Sequence, residues 1–399
     1  MKKHLIIGNG VAGATAAGKI RSLDSEASIT IISDETAPFY YRPRLPEFMA
    51  GEVDINTITL RDQKWYEQKR IELLLGQTAK NININDKSVE TDKGLTLPYD
   101  ELLLATGAHP FIPPVPGADK KNVFSLRTVD DARKIAKAAG ETDTVILLGG
   151  GLLGLETGAA LARMGLRPVV VEMFDRLLPR QLDPTGAKLL QKRLGKMGFA
   201  FHLGTAAQEV TGNDKADGVI LKNGTKLSGG FVVFSAGIRG NIELAKQIGL
   251  EIKNGLVVND RMQTSLPHIW AAGDQIEHAE KLYGIWQASQ AQGEVAGENM
   301  AGKKAKYTGT VMSNSLKVVG VDLFSAGDID PDDEKKSAVY LDDNSYRKIV
   351  LDQGIIVGAI FYGLTKGVME VKSAMSAKVR ALRFLDDMKN KDFNFKRLQ

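Results

Sequence analysis

The sequence predicts an α/β fold built around two Rossmann-like dinucleotide-binding domains. Two observations carry that reading: a strand-turn-helix-strand pattern with a glycine fingerprint at residues 4–33, and a second copy of the same pattern at 144–172. The bulk composition agrees, since 399 residues with 43% hydrophobic and 25% charged side chains suffice for two or three globular domains. Forty-one glycines exceed the usual share of about 7%. No repeat or low-complexity tract absorbs them, so the excess belongs in turns and phosphate loops.

In the first unit an apolar strand is followed by a glycine turn, an alanine-rich helix and a β-branched strand. Gly8, Gly10 and Gly13 fit G-x-G-x-x-G. The first glycine permits the tight turn, the second lets a pyrophosphate approach the backbone, and the third lets helix pack on strand. The helix N-terminus then faces the phosphates. The second strand ends Ser33-Asp34-Glu35, which leaves Asp34 and Glu35 as alternative ribose acids. In the second unit Gly149, Gly151 and Gly154 recur at the same spacing, and Glu172 closes the strand. An acid there accepts hydrogen bonds from both ribose hydroxyls and repels a 2′-phosphate, so it favours NAD over NADP. Arg176, four positions on, reads as a solvated or structural residue.

The chain has no cysteine. Disulfides, thiolate nucleophiles and cysteine-ligated zinc or iron–sulfur clusters are therefore outside its own chemistry. Its formal charge of +4 is mild and evenly mixed, with no basic block to mark a nucleic-acid protein. The five histidines show no metal-ligand spacing, and no metal site is expected. His109 is expected at a hinge. The start, Met1-Lys2-Lys3-His4 followed by three apolar residues, lacks a secretory h-region, and no apolar run reaches membrane-span length. A cytoplasmic location is the expectation.

Three further segments go beyond a generic dinucleotide fold: LLLATGAHP at 102–110, VVFSAGIRGN at 232–241 and IWAAGDQIEH at 269–278. They resemble the FAD-dependent pyridine nucleotide-disulfide oxidoreductase superfamily, whose architecture is glutathione reductase-like. PFYYRPRLPEFMAG at 38–51, VEMFDRLLPRQLD at 171–183 and SNSLKVVGVDLFSAGDID at 313–330 are similar to one branch of it. That branch holds NADH:rubredoxin oxidoreductases and the N-terminal portion of assimilatory-type nitrite reductases, and the resemblance covers nearly the whole chain.

The resemblance implies an FAD-binding domain split over 1–109 and 241–309, an NAD-binding domain at 110–240, and a small α/β domain at 310–399. Pro110, Pro113, Pro114 and Pro116 mark the first crossing, because clustered prolines continue neither helix nor inner strand. Residues 128–139 carry N-terminal acids and C-terminal lysines and read as a surface helix. The tail contains strand-like runs at 348–351 and 355–361 and a more helical end; in relatives this domain often lies at a dimer interface, which implies a homodimer. For FAD the resemblance implies Gly8, Gly10, Ala12, Gly13, Asp34 or Glu35, Arg42, Pro43, Ala79, Thr106, Gly107, Gly273, Asp274 and Trp286. For NAD it implies Gly149, Gly151, Leu152, Leu153, Gly154, Glu172 and Gly237.

Many relatives pass electrons from flavin to cysteine just after the first βαβ unit. Here that stretch reads Arg42-Pro43-Arg44-Leu45-Pro46-Glu47, so thiol-based reduction is excluded and the flavin is the terminal redox centre. Nitrite reduction by this chain alone is excluded too, for want of cysteines to hold the siroheme and iron–sulfur parts. Relatives carry a glutamate near the flavin–nicotinamide contact at the position of Glu156, paired with a lysine. Arg44 is the expected replacement for that partner. Over 361–399 nine basic residues face four acidic ones, a surface suited to steering an acidic carrier. The expected function is transfer of hydride from NADH to FAD and of electrons onward to a small acidic one-electron carrier, rubredoxin first. The alternatives are reduction of ferredoxin, another redox protein or oxygen, or a role as an NADH-responsive interaction subunit.

Overall fold

The computed structural model describes residues 1–310, the backbone of 313–318, and 320–398; Val319, inside the 313–330 segment, lies outside the described residues. The chain divides into two compact units: Met1–Pro110 with Arg127–Val129 and Ile238–Thr310, and Phe111–Leu126 with Asp130–Gly237 and Val311–Gln399.

The first unit is organised by a five-stranded parallel sheet in the order Ile269–Ala271, Glu101–Leu104, Lys3–Ile7, Ser28–Ser33, Ile71–Leu75. Its central strands are continuous apolar runs, as strands covered on both faces must be: Leu5, Ile6, Ile31, Leu102 and Leu103 are at most 1% exposed. Helix Val11–Leu23 follows the central strand and buries Ala12, Ala14, Ala16, Ala17 and Ile20. Helix Trp286–Met300 lies against it through small residues. A Cβ on Gly293 would stand 2.4 Å from the Ala12 carbonyl oxygen, and one on Gly297 2.7 Å from that of Ala16. The two backbones therefore approach as only glycine allows. Strand Ala108–Pro110 pairs antiparallel with Ile238–Gly240, so the chain's first exit from the unit lies beside its return at Ile238. His109 Nδ1 sits 2.7 Å from Asn241 Oδ1 beside that pair.

The second unit repeats the plan. Its parallel sheet runs Val123–Ser125, Phe231–Phe234, Thr144–Leu148, Arg167–Glu172, Ala200–Leu203, with helix Leu152–Arg163 after the central strand. Each unit also carries a small three-stranded antiparallel sheet, Ala79–Asn83 with Ser88–Thr91 and Thr96–Pro98 in the first, Ala207–Thr211 with Gly218–Leu221 and Lys226–Ser228 in the second. The surface helix expected over 128–139 spans Val129–Ala139.

The last part of the second unit is a five-stranded antiparallel sheet, Ser313–Val318, Val321–Gly327, Ile355–Tyr362, Tyr346–Asp352, Lys336–Leu341, packed by helix Val368–Ser376. Among the described residues beyond Ser376, the helical turns are short and of 3-10 type, and Arg380 bridges to Ile355. Arg347, 1% exposed, ties these turns to the sheet: it donates to the carbonyls of Met388 at 2.9 Å and Asn390 at 2.6 Å and lies over the Phe395 ring. That many bonds replace regular helix at the chain end.

Two outcomes follow. Gly293→Val forces a side chain into the Ala12 backbone and is expected to cost about 1–3 kcal/mol, read as a lower thermal midpoint; an unchanged midpoint contradicts the close packing. His4, 2% exposed on the central strand, has no hydrogen-bond partner for either ring nitrogen among the described residues. Burial, with nearby Lys2, pushes its imidazole from 6.5 down to about 4. A lowered histidine pKa means the unfolded chain binds the proton first, so the stability is present above the unfolded value and is lost as pH falls through the folded one. The thermal midpoint should therefore decline from pH 6.5 to about 4, and His4→Phe should flatten that decline; equal slopes in the two proteins count against it.

Candidate functional site

In the first unit the chain turns sharply at the end of Lys3–Ile7. Gly8 N donates to Ile32 O at 2.8 Å, and Ala105 N to Ile7 O at 2.8 Å, so the turn is clamped between both neighbouring strand ends. Gly8 has φ +111°, and a Cβ there would lie 2.1 Å from Ala105 O. A Cβ on Gly13 would lie 2.0 Å from Gly8 O, whereas one on Gly10 meets nothing within 4 Å. The outer glycines are thus fixed by packing. Gly10 instead leaves open space at a helix N-terminus, the place a pyrophosphate needs. Between them Asn9 is 8% exposed and accepts from Tyr66 Oη at 2.8 Å, while its Nδ2 has no partner among the described residues.

Around this turn the structure gathers the other FAD candidates. Thr106 Oγ1 donates to Asn241 O at 2.8 Å, and Gly107 N to Gln275 Oε1 at 2.9 Å. Gly273 N donates to Gln292 Oε1 at 2.9 Å. Asp274 holds Arg127 Nη2 at 2.9 Å and accepts from Ser289 Oγ at 3.2 Å. Trp286, first residue of its helix, stacks on Phe39 with ring centres 5.7 Å apart and meets Tyr41 edge-on at 4.8 Å. Ala12 is buried under the Gly293 helix, and Ala79 opens its strand opposite Thr91.

The two candidate acids differ in setting. Asp34 is exposed. Glu35 forms an ion pair with Arg42 and accepts from Tyr40 Oη at 2.5 Å. Arg42 also donates to Arg127 O at 2.9 Å from the short 3-10 helix Arg42–Arg44, where Pro43 occupies the first turn. Burial opposes the Arg42 charge, yet the Glu35 carboxylate outweighs it and raises the guanidinium above its ordinary value. The Tyr40 phenol is pushed up, first by burial. Arg44 pairs with Glu47 one turn on, at 2.5 Å.

Arg127, Gln275, Gln292, Asn241 and Asn9 complete this arrangement without having been read from the sequence. Gln275 follows the Gly-Asp pair and could have been suspected from it. For Gln292 no signal existed, because its partner Gly273 is 19 residues away. The Nδ2 of Asn9, without a partner among the described residues, and the open space over Gly10 fit a polar ligand of dinucleotide type.

The second glycine turn has the same geometry. Gly149 N donates to Val171 O at 2.8 Å and Ser235 N to Leu148 O at 2.8 Å. Gly149 has φ +127°, and its Cβ would lie 2.3 Å from Ser235 O; that of Gly154 would lie 2.4 Å from Gly149 O, and that of Gly151 meets nothing within 4 Å. Glu172, 8% exposed, accepts from Gly150 N at 2.6 Å and Phe174 N at 3.0 Å. Two of the carboxylate's roughly four acceptor directions are thereby used, which aims the others. Arg176 is occupied by Asp175 at 3.1 Å and by Leu182 O at 3.4 Å, a structural role. Leu152 and Leu153 open the helix, Leu153 37% exposed, and Glu156 is half-buried one turn in. Gly237, φ +101°, is exposed after the adjacent strand.

Two glycine turns of one geometry, each heading a parallel sheet, define a protein that binds two dinucleotides. Residues 2–293 match the pyridine nucleotide-disulphide oxidoreductase family, and the chain belongs to it. Residues 313–379 match the rubredoxin NAD+ reductase C-terminal domain. The chain is 40% identical over 366 residues to nitrite reductase [NAD(P)H] of Bacillus subtilis, covering 91% of this chain and 46% of that protein. It thus spans about half the length of such relatives. It is 31% identical over 380 residues to the NADH-rubredoxin oxidoreductase of Clostridium acetobutylicum, covering 93% and 95%. A ferredoxin reductase structure from Rhodopseudomonas palustris shares the fold, with TM-score 0.90, 24% identity, and 100% and 99% covered. Membership of this oxidoreductase family accounts for the presence of two dinucleotide folds in one chain.

Replacing Glu172 by Ala removes the acid from the second strand end. The ratio of kcat/KM for NADH over NADPH should fall by about tenfold or more, the loss of roughly one charge-assisted hydrogen bond. An unaltered ratio counts against its contact with ribose.

Proposed function

We propose that this chain takes hydride from NADH onto FAD and passes the electrons to a small one-electron carrier, rubredoxin first. The observation that carries the reading is the duplicated glycine turn in a cysteine-free chain, followed by a segment of the rubredoxin NAD+ reductase C-terminal type. FAD, when bound, accepts two electrons as hydride and releases them singly, which suits it to join NADH to such a carrier.

The chain's own residues supply placement. Gly8, Gly10 and Gly13, with Ala12, Thr106, Gly107, Gly273 and Asp274, would hold the FAD pyrophosphate and ribityl chain. Arg42, Pro43, Ala79 and Trp286 would line its flanks, and Glu35 is favoured over Asp34 as the acid at the strand end because Arg42 and Tyr40 fix its orientation. Gly149, Gly151, Leu152, Leu153, Gly154 and Gly237 would cradle NADH, and Glu172 would accept from its ribose hydroxyls. Glu156, on the helix that starts at Leu152, is the candidate for orienting the nicotinamide. Arg44, held by Glu47, is proposed as a basic residue of the flavin-side site.

The acidic-carrier reading draws on the C-terminal segment. Of its nine basic residues, Lys389, Lys391 and Arg397 are paired with Asp386, Asp342 and Asp387, and Lys366, Lys378, Arg380 and Lys396 are exposed. Such a surface raises the encounter rate with an acidic partner in a salt-dependent way. A second reading, a larger reductase as acceptor, is favoured by the 40% identity to a nitrite reductase.

Anaerobic stopped-flow of the FAD-loaded protein separates these. Rapid reduction by NADH, then rapid reoxidation by rubredoxin that weakens with salt, is the expected result. Ready reduction without reoxidation by rubredoxin overturns the carrier assignment. Glu156→Ala should slow flavin reduction by about tenfold or more; an unchanged rate removes its role.

A further inference from the structure

Asp183 ends the segment 173–183 that follows Glu172, and it starts helix Pro184–Gly195. Its Oδ1 accepts from Gly186 N at 2.9 Å, an ordinary N-cap. Its second oxygen is engaged from a distant part of the chain. Tyr346 Oη donates to Oδ2 at 2.5 Å, and Lys348 Nζ lies 3.6 Å from the same atom. Both residues belong to strand Tyr346–Asp352 and, two apart, share one face. Lys348 is 0% exposed, and its ammonium also donates to Asp330 O at 2.6 Å and Asp333 Oδ1 at 2.5 Å. Tyr346 is 1% and Asp183 3% exposed.

An N-cap does not require any of this. Burying an ammonium among carboxylates carries a desolvation cost that an apolar side chain of similar volume avoids. What the cluster adds is a fixed position for Asp183. From there the segment leads back to the second glycine turn: Leu182 N donates to Leu178 O at 2.8 Å, and Leu178 N to Gly150 O at 3.2 Å. Leu178 is fully buried with φ +49°, a backbone conformation a leucine keeps only when its surroundings impose it. Gly150 N in turn donates to Glu172 Oε2 at 2.6 Å. One continuous series of contacts therefore runs from strand Tyr346–Asp352 through Asp183 and Leu178 to Gly150 and Glu172.

We propose that Tyr346 and Lys348 are positioning residues for NADH, holding the 173–183 segment so that Gly150 and Glu172 keep their binding geometry. The inference rests on the reading that the second glycine turn binds NADH. It gives the antiparallel C-terminal sheet a part in substrate binding without any contact to substrate.

The test is steady-state and stopped-flow kinetics of the full FAD-loaded protein with Tyr346→Phe, which removes one hydrogen bond and keeps the ring. The expected result is a KM for NADH, and a Kd for NAD+ by titration of the flavin spectrum, raised about threefold to tenfold, with the limiting rate of flavin reduction within about twofold of wild type. The double variant Tyr346→Phe with Asp183→Asn should add little to the effect of Asp183→Asn alone, because Tyr346 acts through Asp183. Lys348→Met should raise KM in the same direction; if it fails to fold, Tyr346→Phe decides alone. A Tyr346→Phe protein with a lower thermal midpoint but unchanged KM and Kd overturns the proposal and leaves a structural clasp. Wild-type protein that NADH does not reduce overturns instead the underlying reading of the second glycine turn.

Discussion

The contact on which the rest depends is the approach of a glycine turn to the carbonyl of the next strand end. Gly8 lies on Ala105 O and Gly149 on Ser235 O, at distances that leave no room for a side chain. The third glycine of each turn then lies on the first, which fixes where the helix begins. With both outer glycines committed to packing, the middle one faces open space and the helix N-terminus is aimed at it. The open space where a phosphate would sit is thus a consequence of how strand and helix close on each other. The same turn, with the same hydrogen bonds, is built twice, once in each unit.

The sites differ in what surrounds that shared turn. The first is closed by groups brought from far along the chain: Gln275, Gln292 and Asn241 satisfy backbone groups of Gly107, Gly273 and Thr106, and Arg127 holds Asp274. The second has a simpler acid, Glu172, folded onto its own turn. A rigid, heavily bonded cradle suits a resident cofactor, and a lighter one suits a substrate that must leave. The absence of cysteine fits the proposed role, in which a flavin at the first site would have no thiol in this chain to pass electrons to.

Both βαβ units were legible in the sequence, because period, glycine spacing and apolar runs are local signals. So were Gly8, Gly13, Gly149 and Gly154, whose roles follow from backbone sterics alone. The different settings of Asp34 and Glu35 were not, since Glu35 is engaged by Arg42 and Tyr40, which approach it only after the chain has looped back. Arg127 with Asp274, 147 residues apart, and Tyr346 with Asp183, 163 apart, leave no trace in any local window. What composition and periodicity miss here is the polar clasping of one segment by another, and that clasping is what turns a glycine fingerprint into a shaped site.

The first turn is proposed to hold FAD and the second to receive NADH. The direct measurement is the visible spectrum of purified Gly10→Val and Gly151→Val proteins, before and after anaerobic addition of NADH. A side chain over Gly10 should leave a folded protein without flavin, and one over Gly151 should leave a yellow protein that NADH no longer bleaches. A Gly151→Val protein bleached by NADH as fast as wild type, or a Gly10→Val protein that keeps its full flavin, contradicts the account.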